Sequence, residues 1–216
     1  MTDTAERDHD DVAGDDPLDR DGPPTGTGLD RLLRAALELF SDKGFEATRT
    51  RDISARAGLS PAALYVHFAS KEEVLHHLVR TTNESTLRAL RDAVEPYDDP
   101  ISRLRAFVTE FSLMHARGYQ HARVAQYESR HLLPEHAEII ARTRLQIREA
   151  ARAEVQRGID AGVFTIAEPR VAVLAIMSLS IDICRWYRPD GAVPAADLAD
   201  INSGLILQIL RAPGHR

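Results

Sequence analysis

A chain with a single cysteine, Cys184, can close no disulfide on itself and offers no Cys-x-x-Cys pair, which fits a reducing cytoplasm. Long apolar runs are missing too. The longest near-continuous one, Val171 to Ser180 with Ile181 and Ile183 beyond Asp182, is shorter than the roughly 20 residues needed to cross a bilayer. It reads as a buried helix, and no membrane partner is expected. No cationic, apolar leader opens the chain, no phosphate loop or nucleophile elbow interrupts it, and it holds neither alternating strand segments nor repeats. An excess of cations is also absent, the net charge being −6. What is present is 44% hydrophobic residues over 216 positions, enough to bury a core in one compact unit or two small ones.

The negative charge is unevenly placed. Residues 1–28 hold nine acids (Asp3, Glu6, Asp8, Asp10, Asp11, Asp15, Asp16, Asp19, Asp21) against Arg7 and Arg20, a balance of −7, so the rest of the chain carries +1. Only a local basic patch can therefore bind phosphate. With Pro23-Pro24 and almost no apolar residue, the stretch reads as a disordered acidic tail. Its second reading is a competitor for the place of nucleic acid on that patch.

The informative stretch runs from Gly44 to Val74. Ile53, Ala57 and, after a break, Leu59 fit a short helix over 51–57 closed by Gly58. Ser60 then supplies a capping oxygen and Pro61 a first helical position, where a missing N–H costs nothing. Two short helices around Ala57-Gly58-Leu59-Ser60 make a helix-turn-helix, whose second helix is shaped for the major groove of DNA. Leu64 and Phe68 face the core. Pro61, Ala62 and Ala63 leave a smooth surface for close approach, while Tyr65, His67 and Lys71 carry groups that bond phosphate oxygens.

Through Gly44-Phe45, Asp52-Ile53, Ala57-Gly58-Leu59-Ser60, Leu64-Tyr65, His67-Phe68 and Ser70-Lys71 the chain resembles the TetR family of one-component transcription regulators. The resemblance implies that Ser60, Pro61, Ala62 and Ala63 face bases and that Tyr65, His67 and Lys71 hold the DNA backbone. Two positions depart from the family pattern. Arg49 stands where the family places a capping Ser or Thr, which leaves capping to Thr48 or Thr50 and turns Arg49, with Arg51 beside it, toward DNA. Ahead of the first helix stands Thr27-Gly28-Leu29 in place of a cation, so a minor-groove arm is not expected.

Along the chain, Leu32, Leu33, Ala36, Leu39 and Phe40 mark a first helix ended by Gly44. Ser70 with Glu73 forms a capping box for a long helix from Lys71 to about Val94. Asp99-Pro100 opens the next, which carries the stripe Leu104, Phe107, Val108, Phe111 and Met114. A segment holding Val124, Tyr127 and Leu132 precedes Pro134, and a long helix follows from about Glu135 to Ala161, closed by Gly162. An apolar helix spans Pro169 to about Arg188, and Pro194 starts a last one with the stripe Leu198, Ile201, Leu205 and Leu210. The expected fold is all-α with about nine helices: a three-helix DNA-binding domain over 29–80, then a ligand-binding and dimerisation domain over 81–212. In the resembled family the last two helices of each subunit form a four-helix dimer interface.

Chemistry-bearing groups are sparse. Glu73-x-x-His76 and Glu128-x-x-His131 match the i, i+3 spacing of helical di-iron proteins and supply an alternative, enzymatic reading. Chance polar faces explain such pairs more readily, so neither enzyme nor cofactor is expected. Arg185-Trp186-Tyr187-Arg188 closes the apolar helix, either to hold a phosphate and stack on a flat ring or merely to end a helix and plug a core. Together with Tyr127, this stretch resembles the TetR branch that governs fatty-acid or steroid breakdown and answers to acyl-CoA thioesters. That implies a pocket of Phe107, Phe111, Met114, His115 and Tyr127 for an apolar group, with Arg185, Trp186 and Arg188 meeting a nucleotide end. The expected function is a dimeric repressor on a palindromic operator, released by a small apolar effector.

Overall fold

Local capping chemistry sets most of the helix boundaries in the computed structural model, which describes residues 26–211. Of the tail expected over 1–28, residues 1–25 lie outside them, while Thr27 and Gly28 are not tail but the cap and first residue of the first helix. Helix α1 (Gly28–Lys43) opens on a reciprocal box, Thr27 Oγ1 accepting from Asp30 N at 3.3 Å and Asp30 Oδ2 accepting from Thr27 N at 2.8 Å. It stops at Gly44, whose φ of 84° would strain any residue with a Cβ.

The start of α2 (Thr50–Arg56) corrects the expectation that a threonine caps it. Thr48 is fully buried, its hydroxyl donating to Gly44 O at 2.8 Å, and Thr50 Oγ1 lies 3.2 Å from the Tyr65 hydroxyl. The cap is instead Asp52, which accepts from Arg49 N at 3.2 Å. After Gly58, at φ 66°, α3 (Ala63–His67) begins two residues later than Pro61. Ser60 contributes its carbonyl to a turn closed by Ala63 N at 3.0 Å, and its side chain does not cap the helix.

Helix α4 (Lys71–Val94) is capped by Ser70 Oγ from Glu73 N at 3.1 Å, while Glu73 reaches back one residue further than expected, to Ala69 N at 2.8 Å. In α5 (Pro100–Arg117) Asp99 accepts from Ile101 N and Ser102 N at 3.0 and 3.1 Å. Helix α6 (Tyr119–Arg123) runs into a π turn over Val124–Glu128 and a 3₁₀ turn over Ser129–His131. Then follow α7 (Pro134–Asp160), α8 (Pro169–Ile181), α9 (Ile183–Trp186) and α10 (Ala195–Arg211). The single apolar helix expected from Pro169 to Arg188 is thus broken at Asp182, whose carboxylate takes both arms of Arg185 at 2.7 and 2.8 Å.

Two cores result. One joins Leu32, Phe40, Ile53, Leu64 and Leu75 to Val124, Ala125 and Ile140 from the C-terminal part. The other gathers Leu90, Leu104, Phe107, Phe111, Ile147, Phe164, Ile176 and Leu210. Helix α4 contributes to both, so it crosses the boundary drawn at 80/81. Around the second core, α5 packs along α10, and α7 against α4 and α8. The last-helix stripe is split: Leu210 is buried, but Ile201 and Leu205 are about half exposed, and so are Val171, Leu174 and Leu179 of α8. No described helix is long and apolar enough to cross a membrane.

The second core contains one ion pair out of water. Arg103 binds Glu154 through Nε and Nη2 at 2.8 and 2.9 Å and gives Nη1 to the carbonyls of Val94 and Tyr97. Glu154 is 6% exposed, and its other cation, Arg157, stands at 3.6 Å. Arg103→Met leaves the buried carboxylate only the longer contact with the exposed Arg157 and is expected to cost about 3 kcal/mol. Urea unfolding measures it, and a loss below about 1 kcal/mol would mean that Glu154 is solvated.

Candidate nucleic-acid interface and ligand cavity

From Gly44 to Lys71 the chain holds four cations, Arg49, Arg51, Arg56 and Lys71, against Glu46 and Asp52. Arg49, Arg51, Ser60, Pro61, Ala62, Tyr65 and His67 all face solvent, and Ala63 is partly covered. The Thr50–Tyr65 hydroxyl contact ties the start of α2, where both arginines sit, to α3. Leu64 is fully buried beneath them and fixes which face of α3 points outward. Val66 is 78% exposed on this short helix and was missed by the pattern of bonding groups.

Lys71 is placed differently from the other phosphate candidates. Its ammonium donates to Phe45 O at 2.6 Å and Thr48 O at 2.7 Å and lies 4.0 Å above the Phe45 ring. Desolvation lowers its pKa, opposed by Glu46. Two of its three protons are thus spent on the loop before α2, leaving one for a phosphate. The N–H of the same residue is held by Glu128, which accepts from Phe45 N at 3.0 Å, and the Phe45 ring stacks on His131 at 5.2 Å. Glu73 and Glu128 of the two Glu-x-x-His pairs therefore both serve as caps for backbone N–H groups. Among the described residues no three or more His, Cys, Asp or Glu gather as a metal site.

Between α4, α5, α6, α7 and α8 lies a cavity of about 380 Å³. Phe111 and Met114 line it as expected, with Ile147, Met177 and Ile181. Thr81, Thr82 and Thr86 border it while donating their hydroxyl protons to carbonyls of their own helix, so they present lone pairs. His115 lines it too; its Nδ1 is 2.8 Å from Phe111 O, and because a carbonyl only accepts, that nitrogen carries the proton. Burial pushes His115 and His121 down to about 4.

Other expected pocket residues lie elsewhere. Phe107 packs in the core, 1% exposed, and does not line the cavity. Tyr127 and Trp186 line a second depression, about 700 Å³, which shares Gln126, Met177 and Ile181 with the first. Arg185 is occupied by Asp182, and Arg188 gives Nη1 to Tyr187 O at 2.8 Å. Sequence reasoning missed Arg144 and Arg148 in the cavity wall and the hydroxyl row facing them. The row was visible as Thr81, Thr82, Ser85 and Thr86 in the middle of a helix, where such residues are poor helix formers.

The family model described as bacterial regulatory proteins, tetR family, matches residues 32–78, and that described as tetracyclin repressor-like, C-terminal domain, matches 97–210. The HTH-type transcriptional repressor KstR2 of Mycobacterium tuberculosis is 30% identical over 199 residues, 88% of this chain and 96% of that protein. A bacterial regulatory protein in the tetR family from Rhodococcus RHA1 is 35% identical, with a TM-score of 0.81 over 86% of this chain and 98% of its own. AibR in complex with isovaleryl coenzyme A and operator DNA, 22% identical, shares the fold with a TM-score of 0.76 over 86% and 99%.

Two predictions follow from this geometry. Enlarging the smooth surface, as in Ala62→Val, should change which DNA sequence is preferred by about tenfold, while Tyr65→Phe should weaken all sequences alike; binding titrations on a panel of duplexes separate the two. The second concerns acid. His115 is depressed from 6.5 to about 4, so the unfolded chain binds more protons between those values, and stability falls as pH drops through them. The full loss is on the order of 3 kcal/mol. His115→Gln should flatten part of that slope in urea melts at pH 5 and 7, and an unchanged slope would place the protonation elsewhere.

Proposed function

The chain belongs to the TetR family: it is a helix-turn-helix transcription regulator, not an enzyme, and on that premise we propose that it is a cytoplasmic, homodimeric repressor released from a palindromic operator by a small effector. One observation carries the ligand-responsive part. Helix α4 borders the cavity through Thr81, Thr82 and Thr86, and its first residue, Lys71, clamps the loop before α2. Whatever displaces the wall of the cavity acts on the element that holds the DNA reader. An effector releases DNA by as much as it prefers the non-binding state.

The half-exposed apolar residues Val171, Leu174 and Leu179 on α8 and Ile201, Leu205 and Ile209 on α10 support pairing through these helices. Paired subunits would present two recognition helices about one DNA turn, roughly 34 Å, apart. The outward exposure of Arg49, Arg51, Ser60, Pro61, Ala62, Tyr65 and His67, with the partly covered Ala63 beside them, supports their assignment to DNA, with Lys71 acting chiefly as a clamp.

For the effector we propose an acyl thioester of coenzyme A. The cavity fits the acyl group, and the adjoining depression carries Tyr127 and the half-exposed Trp186 for a nucleotide end, on the side away from Leu179, Ile201 and Leu205, which it shares with the pairing face. The complex of AibR with isovaleryl coenzyme A and operator DNA supports the same class in this fold. Arg185 must exchange Asp182 for phosphate oxygens, and its guanidinium is accessible for that.

Operator DNA drawn from flanking sequence should bind the dimer with an affinity that drops steeply with salt. A purified dimer with no salt-sensitive affinity for any candidate operator contradicts the repressor reading. A CoA thioester should release it at concentrations about tenfold or more below those of the free acid, and Arg185→Ala should narrow that gap. Equal potency of acid and thioester removes the coenzyme A proposal alone.

A further inference from the structure

No aspartate or glutamate lines the cavity, but Arg144 and Arg148 do. Arg144 is the telling one. It is partly buried, and desolvation, with no carboxylate to oppose it, lowers its pKa. Its bonds go to neutral oxygens: Nη2 donates to the carbonyl of Ala125 and to Ser129 Oγ at 3.4 Å, and Nε donates to Asn83 Oδ1 at 3.4 Å. A guanidinium drawn out of water without a counter-ion is costly unless an anion arrives.

We propose that Arg144 receives an oxyanion carried by the effector's apolar body, and that this bond draws the guanidinium off the Ala125 carbonyl and loosens the π turn. The inference rests on the repressor reading and names the chemistry of its effector: an amphiphile whose buried part ends in a carboxylate. A carboxylate matches the Arg fork with two parallel bonds, roughly twice as strong as those to neutral acceptors, so it outcompetes a peptide carbonyl. Phe111, Met114, Met177 and Ile181 supply an apolar surface for the remainder of the molecule.

The consequence for DNA follows from the turn itself. Ala125 and Glu128 belong to one π turn, and Glu128 is the residue that accepts from Phe45 N. When Arg144 leaves Ala125, the turn loses its tie to α7, and with it Glu128 loses the position from which it holds the loop before α2. The effector thus has a preferred state, the one in which Arg144 has left Ala125. That differential affinity is what a release mechanism requires.

Two sources can present such a carboxylate: a free fatty acid, or the CoA thioester of a dicarboxylic acid. The test titrates labelled operator complex with two matched pairs, decanoate against 1-decanol and the mono-CoA thioester of decanedioic acid against decanoyl-CoA. Ligand binding is followed in parallel by thermal shift without DNA. The carboxylate member of at least one pair should bind and release at a concentration about tenfold or more below its partner, the scale of a charge-assisted bond, and the pair that does so identifies the source. In Arg144→Met that preference should vanish; if this variant does not fold, Arg144→Lys, which keeps the charge but loses the fork, should reduce it. Equal response within both pairs, no response to any of the four, or a preference that survives in Arg144→Met overturns the inference. A protein that binds no operator fails the repressor reading, and the thermal shift arm still decides the anion site.

Discussion

One residue, Phe45, ties the DNA reader to the rest of the molecule through both of its backbone groups. Its N–H is held by Glu128 from the π turn and its carbonyl by Lys71 at the start of α4, and its ring meets both the Lys71 ammonium and the His131 ring. Glu128 and Lys71 are charged groups partly withdrawn from bulk water, so each of these two bonds is stronger than a neutral one and each loss leaves an unsatisfied charge. The loop before α2 therefore has two defined anchors, not a graded set of contacts. Moving either one, through α4 or through the turn, changes the pose of the helix-turn-helix.

The two anchors come from elements that also border the cavity. Helix α4 brings its hydroxyl row and the π turn brings Ala125, while α7 closes the opposite wall with Arg144. A second crossing between the reader and the body is made by Glu72, which accepts from Leu133 N at 2.9 Å and meets His136 Nδ1 at the same distance, with His136 stacked on His76 at 3.7 Å. Continuous helix and buried hydrogen bonds transmit displacement because packed interiors do not deform gradually.

Much of this was legible in the sequence, and the reason is locality. Ser70 and Asp99 cap helices, and Gly44, Gly58 and Gly162 close them, through atoms within a few residues, so the chain itself states where these helices begin and end. The motif residues share that property. The failures have the opposite character. Lys71 looked free for phosphate because its acceptors, Phe45 O and Thr48 O, lie more than twenty positions back. Threonine capping of α2 failed because Thr48 is used to seal the α1 corner, and a backbone N–H was left to Asp52. The π turn and the break at Asp182 have no periodic signature, and Arg144 resembles any other cation on a long polar helix until α4 and the turn are laid against it.

The apolar face and the cavity are not independent. Leu174, Met177 and Ile181 of α8 line the cavity, while Val171, Leu174 and Leu179 of the same helix stand open to solvent. Leu174 belongs to both. A helix of thirteen residues that is apolar on nearly every side must be covered on nearly every side, and α5, α7 and α10 reach only part of it. A partner subunit seated on the remaining face would fix α8 from outside, so that the inner wall could no longer yield to a ligand at no cost. Strain from an occupied cavity would then pass toward α4, α7 and the π turn, the walls that lead to Phe45. A dimer so arranged would set the spacing of two DNA readers and would also direct where the effector's push is felt.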